Sequence, residues 1–289
     1  MTAGRRPVPV SVRARQRVVR VLRDVRKWRG HRPPGPGSPP AEPSGWIAAP
    51  PDFVGVGAQK AGTSWWSALI QEHPDVHLAG NQPKELHFFD EYWERPFTAA
   101  DADRYARFFP RPESGGLAGE WTPGYMVDFW TPDLIRRAAP DARILVLLRD
   151  PLERYRSSLA HTDDLSRASL GRQDAMGAYQ RGLYSQQLRR VFAAFPREKV
   201  LVLQYERCRD DPHGELARTF RFLGLDEVAL DTARFERPVN PTTATKVDLT
   251  PELRRSLAEA YAPDLAALPD LVPDLDLDRW PTVRELAAR

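Results

Sequence analysis

One stretch restricts the fold of this chain more than any other: Asp52-Phe53-Val54-Gly55-Val56-Gly57-Ala58-Gln59-Lys60-Ala61-Gly62-Thr63-Ser64-Trp65-Trp66. It reads as a buried strand, a glycine-bearing turn and a helix start, the order that builds an anion site. Small residues at Gly57, Ala58, Ala61 and Gly62 let backbone N–H groups approach a ligand closely. The helix beginning near Thr63 aims its unpaired amides and positive dipole end at the same spot. Lys60 adds a full charge there, and Thr63 and Ser64 add hydroxyls.

Laid against the phosphate-loop pattern G-x-x-x-x-G-K-[ST], the segment has Thr63 where the pattern has lysine, and its own lysine comes three places earlier. Phosphate is expected, in a different grip. A second corner follows the unbroken apolar run Ile144-Leu145-Val146-Leu147-Leu148, which has the signature of a strand covered on both faces. Asp150-Pro151 then opens a helix with Glu153 at the capping-box position. Arg149 stands at the strand end and Ser157 two helical turns along, an arginine fork and a hydroxyl for one more phosphate. Two anion corners on one sheet suit a nucleotide with phosphates at both ends of its ribose.

The remaining pattern alternates strands and helices. Helices are expected at Thr63–Glu72, Ala102–Phe109, Pro132–Ala139 capped by Thr131, Tyr179–Phe195, Asp211-Pro212 to Leu223-Gly224, and from Thr250-Pro251. Short extended pieces are expected at Gly119–Trp121 and Val200–Leu203. Lys84-Glu85-Leu86-His87-Phe88-Phe89 reads as an extended or turning segment with Glu85 and His87 on one face. The pattern predicts a P-loop-like three-layer α/β/α fold around a central, mostly parallel sheet, with ligands at the carboxyl edge of its strands.

Of 289 residues, 42% are hydrophobic, enough for one catalytic-sized domain, assigned to residues 52–289. The net charge of +3 hides a division: residues 1–32 carry eleven Lys/Arg and one acid, Asp24, leaving 31 bases against 38 acids in the rest. The arm's Val12, Val18, Val19, Val21, Leu22, Val25 and Trp28 recur among arginines at roughly helical spacing. That pattern fits weak contact with an anionic membrane surface and fits a basic tail equally well. A Pro/Gly-rich linker, 33–51, is expected to form no packed element. The single cysteine, Cys208, excludes an intramolecular disulfide framework and is read as inert. With no apolar run of about 18 residues and no apolar region after the N-terminal bases, the chain is read as cytoplasmic, or peripheral to a membrane.

With both corners in view, the segment from about Asp52 to Leu271 resembles the sulfotransferases that use 3′-phosphoadenosine 5′-phosphosulfate (PAPS). Gln59–Trp65 is similar to that family's 5′-phosphosulfate loop, and Arg149 to Ser157 to its 3′-phosphate motif. Lys84–Asp90 and Gly119–Tyr125 look like the heparan-sulfate and related bacterial branch, whereas Val202–Glu206 looks like the small-molecule branch. The resemblance implies PAPS as sulfonate donor and no metal. It implies that Lys60 meets the 5′-phosphate and the oxygen bridging it to sulfur, with Ala61, Gly62, Thr63 and Ser64 forming the loop. It further implies Arg149 and Ser157 on the 3′-phosphate and Trp65 and Tyr205 at adenine positions, although aromatic residues there also serve as ordinary core.

Glu85 matches the polysaccharide branch's general base, its pKa expected to be raised by Leu86, Phe88 and Phe89. His87 is the rival base, as in the small-molecule branch. Two features depart from the family: Trp121 stands where the polysaccharide branch carries lysine, and the basic C-terminal lid is replaced by Arg237-Pro238-Val239-Asn240-Pro241 and Lys246. Trp93, Tyr92, Phe97, Trp121, Tyr125 and Trp130 line either an acceptor cleft or the core. A small molecule, glycoside, lipid or saccharide all fit as acceptor; no nucleic-acid partner is expected, and nothing fixes the oligomeric state. Rival readings are a P-loop kinase or nucleoside-triphosphate hydrolase, and a non-catalytic nucleotide- or polyanion-binding module.

Overall fold

The computed structural model describes residues 36–77, 84–160, 171–228, 230–231 and 248–287. The basic arm and the lid segment with Arg237–Pro241 and Lys246 lie outside them. The sheet grows from β2 (Phe53–Gly57), β4 (Gly119–Trp121), β5 (Arg143–Leu148) and β6 (Val200–Gln204), ordered β4-β2-β5-β6. All three pairings are parallel, with Gly55 opposite both Trp121 and Leu145, and Leu148 opposite Gln204. Ile144 to Leu148 are each 0% exposed, so the apolar run of β5 is covered on both faces.

Each of three strands runs into a helix at the same sheet edge: β2 into α1 (Thr63–Gln71), β5 into α4 (Pro151–Ala160), and β6 directly into α7 (Tyr205–Asp210). Between them lie α2 (Ala99–Ala106), α3 (Thr131–Ala138), α5 (Arg172–Gln180) and α6 (Tyr184–Ala194). Then follow α8 (Pro212–Leu223), α9 (Pro251–Ala266), α10 (Leu268–Leu271) and α11 (Pro281–Ala287). Asp211 and Thr250 cap α8 and α9 as their sequences predict, and Gly224 ends α8 in the left-handed region at φ 72°. Among the described residues no helix is long and apolar enough to cross a membrane. Cys208 is buried in α7, and that burial pushes its thiol well above its ordinary pKa, as an inert cysteine requires.

Several expectations change. The linker does hold a packed element, β1 (Trp46–Ala48), whose apolar trio pairs antiparallel with β3 (Pro110–Pro112). The helix expected over Tyr179–Phe195 is two, α5 and α6, broken at Gly182, where a Cβ would lie 2.7 Å from the Tyr261 hydroxyl. Helix α2 starts three residues earlier than expected because Thr98 and Asp101 close a capping box. Thr131 does not cap α3. Its hydroxyl donates to the carbonyls of Tyr125 and Asp128 instead, fixing the turn before the helix.

Trp121 is fully buried and takes no part in any cleft. Its indole packs on Gly55 across the sheet, and its Nε1 donates to the Gly57 carbonyl at 3.2 Å. A Cβ on Gly55 would sit 2.1 Å from that ring. Gly55→Ala should therefore lower stability by about 1–3 kcal/mol through overpacking. Combining it with Trp121→Leu should recover part of the loss, and urea-denaturation midpoints of the three variants check this.

Candidate active site

The first corner is built as an anion cradle. Gly62 is the N-cap of α1 in the left-handed region (φ 93°), a geometry glycine adopts without strain, and no side chain caps the helix. Its first-turn amides face the loop of Lys60 and Ala61. Lys60 is itself left-handed at φ 68°. A side chain on Gly62 would strike the Tyr205 ring at 2.8 Å, so the start of α7 closes over this turn. Trp65 packs edge-on to Tyr205, with ring centroids 6.3 Å apart.

The second corner is locked from behind. Asp150, buried, accepts from Glu153 N at 2.9 Å, as an N-cap should. The reciprocal bond of the expected capping box comes from elsewhere, because Asp150 N donates to Glu206 at 3.0 Å. Thr282 donates to Asp150 through both its amide and its hydroxyl, and Trp280 Nε1 donates to Glu206. The far C-terminal segment thus braces the turn that presents Arg149. The Arg149 guanidinium lies over the Tyr205 ring, 4.7 Å from its centroid, and donates to the Lys60 carbonyl at 3.3 Å. Ser157 sits two turns into α4, 7% exposed. Arg149 therefore joins the two corners, with Tyr205 and Trp65 beside the joint.

A chain of charges meets the first corner. Lys84 Nζ donates to Thr63 Oγ1 and Ser64 Oγ, each at 3.2 Å, and to Glu85 Oε1 at 2.8 Å. Glu85 Oε2 lies 3.3 Å from His87 Nε2, and His87 Nδ1 lies 2.9 Å from Asp90. Glu85 and His87 do share a face, but the expected rise in the Glu85 pKa is wrong. Burial pushes it up, yet His87 and Lys84 outweigh burial and hold it at about 2. The apolar neighbours Leu86, Phe88 and Phe89 are buried in the core. His87 is driven the other way: burial lowers its pKa, but Asp90 and Glu85 raise it to about 9, so the ring is an imidazolium at neutral pH.

The loop carrying this chain hangs on one buried carboxylate. Glu120 accepts from Leu86 N at 3.2 Å, from Tyr105 at 2.7 Å, from Tyr125 at 3.2 Å and from Thr122. Thr122 and Tyr125 in turn accept from the amides of His87 and Phe88. His87 is held at φ 52°; among the described residues, it and Lys60 are the two non-glycine positions with positive φ. Asp128 also borders the cluster, its pKa raised to about 6 by burial and by Asp90.

A family profile described as "Sulfotransferase domain" matches residues 50–265, most of the chain, both corners and the charged loop included. The chain belongs to the sulfotransferase family. The chain is 35% identical over 213 residues to heparan sulfate glucosamine 3-O-sulfotransferase 6 of Homo sapiens, covering 70% of this chain and 60% of that protein. It is 30% identical over 194 residues to heparan sulfate glucosamine 3-O-sulfotransferase 3B1 of Homo sapiens, covering 63% of this chain and 48% of that protein. The chain thus spans about half to three-fifths of these relatives' lengths. Among solved structures, a sulfotransferase from Alicyclobacillus acidocaldarius superposes with a TM-score of 0.63 at 28% identity, covering 80% of this chain and 99% of that one. Membership sets aside the kinase reading, which needs lysine where Thr63 stands.

Lys84, Asp90, Glu120 and Asp128 join the site in the structure although the sequence alone did not mark them as site residues. The signal for Lys84 and Asp90 was present, since both flank Glu85 and His87 in the quoted motif. Glu120 stands in the Gly119–Tyr125 motif beside its partners Thr122 and Tyr125, but its other two donors, Leu86 and Tyr105, come from separate segments that give no local sign. The charge chain has a pH signature. A His87 pKa raised from 6.5 to about 9 stabilises the fold fully below 6.5, and that contribution is lost as pH rises through about 9. Glu85, depressed from 4.5 to about 2, contributes fully above 4.5, and that contribution is lost as pH falls from there through about 2. His87→Gln should therefore be less stable than the parent at pH 6, with the gap in urea midpoint closing between pH 6.5 and 9. A gap constant to pH 10 would show that the imidazolium is not what stabilises this loop.

Proposed function

We propose that this chain transfers a sulfonate group from PAPS to a hydroxyl of a saccharide or glycoside acceptor, with Glu85 as general base. The observation that carries the reading is the joint made by Arg149. One side chain links the two anion corners, 3.3 Å from the Lys60 carbonyl, and Lys84 and Glu85 adjoin the first corner directly. The donor set fits a nucleotide with two separated phosphate groups. The uncapped N-terminus of α1 with Lys60, Ala61, Gly62, Thr63 and Ser64 suits a 5′-phosphate, and Arg149 with Ser157 suits a 3′-phosphate. Trp65 and Tyr205, beside the joint, suit an adenine face. PAPS, when bound, supplies the activated sulfonate.

The chain's own groups then divide the work. Glu85 takes the proton of the acceptor hydroxyl as its oxygen bonds to sulfur, and the bond between sulfur and the bridging oxygen breaks. The electron pair remains on the departing 5′-phosphate, where Lys60 and the loop amides meet the growing charge. His87 is the weaker candidate for base because an imidazolium has no lone pair to accept a proton. It orients Glu85 instead. The names of the heparan sulfate relatives favour a saccharide acceptor. Trp93 and Phe129, 62% and 72% exposed, offer stacking surfaces on the segments that follow His87 and Tyr125.

Calorimetric titration with adenosine 3′,5′-diphosphate, compared with 5′-AMP and with Mg-ATP, tests the donor site. The diphosphate should bind best, and Arg149→Ala should weaken it at least tenfold while leaving 5′-AMP little changed. Preference for Mg-ATP would overturn the reading. In a PAPS assay against a panel of saccharides and glycosides, Glu85→Gln should abolish transfer while the diphosphate still binds. A parent protein that binds the diphosphate but turns over with no acceptor would support a binding module instead.

A further inference from the structure

Lys84 has no task in the transfer as described, yet its ammonium sits where the two halves of the site meet. Its three acceptors, Thr63 Oγ1, Ser64 Oγ and Glu85 Oε1, match an ammonium's three protons. Two of them are the hydroxyls assigned to the 5′-phosphate, and the third is the assigned base. The backbone at Lys84 is anchored, since its carbonyl accepts from Trp121 N at 3.0 Å. The three acceptors hold Nζ in the gap between phosphate loop and base. A hydroxyl that accepts from Nζ keeps its own proton for a phosphate oxygen, so Nζ lies within reach of any phosphate held by Thr63 and Ser64.

Resting on the PAPS reading, we propose that Lys84 is a catalytic residue shared between donor and base. Without donor it is the countercharge of Glu85; with donor bound it moves onto the phosphosulfate oxygens, and Glu85 becomes basic enough to take the acceptor's proton. The charges around it fit this exchange. Glu85 faces Lys84 on one side and His87 on the other, and buried Glu120 adds a weaker pull on Lys84. Burial lowers the pKa of Lys84, which marks an ammonium short of solvation and ready to gain a dianionic partner. When the ammonium leaves, Glu85 loses one of the two cations that hold its pKa down. Base strength is thereby tied to donor occupancy, and an acceptor that arrives first meets a carboxylate too weak to deprotonate it.

The test needs no acceptor. Adenosine 3′,5′-diphosphate, which carries the 5′-phosphate, is titrated calorimetrically into the parent, Lys84→Met, Lys84→Arg, Glu85→Gln and the Lys84→Met/Glu85→Gln double variant. Lys84→Met should weaken binding at least tenfold and Lys84→Arg should recover part of that loss, which also controls for folding. Glu85→Gln should tighten binding several-fold by releasing the ammonium to the phosphate, and the gain should vanish in the double variant. A purely structural lysine would not produce that coupling. If Lys84→Met binds like the parent, or the Glu85→Gln gain persists without Lys84, the proposal is overturned while the donor site stands. If the parent itself does not bind the diphosphate, both the donor site and the role of Lys84 are overturned.

Discussion

The site depends on the burial of one charge. Glu120 lies at the edge of the sheet with 4% of its surface exposed, in a place where an unpartnered carboxylate would cost several kcal/mol. Two tyrosines, a threonine and a backbone amide surround it, and burial still raises its pKa. The geometry these bonds demand is also the geometry the proposed transfer would use. The amide of Leu86 must point at Glu120, which turns the flanking side chains of Glu85 and His87 the other way. A desolvated charge in the core thus sets the direction of the charges at the surface of the site.

The second corner follows the same logic at a distance. Asp150 and Glu206 are buried acids: Asp150 takes donors from Glu153 of α4 and from Thr282, 132 residues along the chain, and Glu206 takes them from Asp150 N and from Trp280, 74 residues along. Arg149 is thereby presented by a turn that cannot relax without disturbing the C-terminal helix. The corner that grips and the segment that braces it are remote in sequence and inseparable in structure. Hydrogen-bonded networks of this kind confer rigidity because each member is fully satisfied only when all are in place.

What was legible in the sequence was local. The run Ile144–Leu148, the Gly62-Thr63 turn, the Asp150-Pro151, Asp211-Pro212 and Thr250-Pro251 helix starts and the Gly224 stop all carry their cause within a few residues, and all appear where expected. The break between α5 and α6 escaped notice because its cause is the ring of Tyr261, eighty residues away. The acidity of Glu85 was misjudged for a related reason. Its hydrophobic neighbours in sequence face the core, while the cations that govern it are Lys84, turned by the anchored loop, and His87, charged by Asp90. Trp121, an apparent candidate for a cleft, is explained by the absence of a side chain on Gly55 opposite it.

Lys60 and His87 share a feature whose consequence reaches the evolution of the chain. Each occupies a left-handed backbone conformation in which a side chain costs on the order of 1–2 kcal/mol, and glycine would relieve that cost. At His87 the ion pairs with Glu85 and Asp90 offset that cost, and glycine would lose them. At Lys60 glycine would delete the ammonium beside the first corner. Selection for heat resistance alone would draw Lys60 toward glycine and leave a firmer loop stripped of its charge.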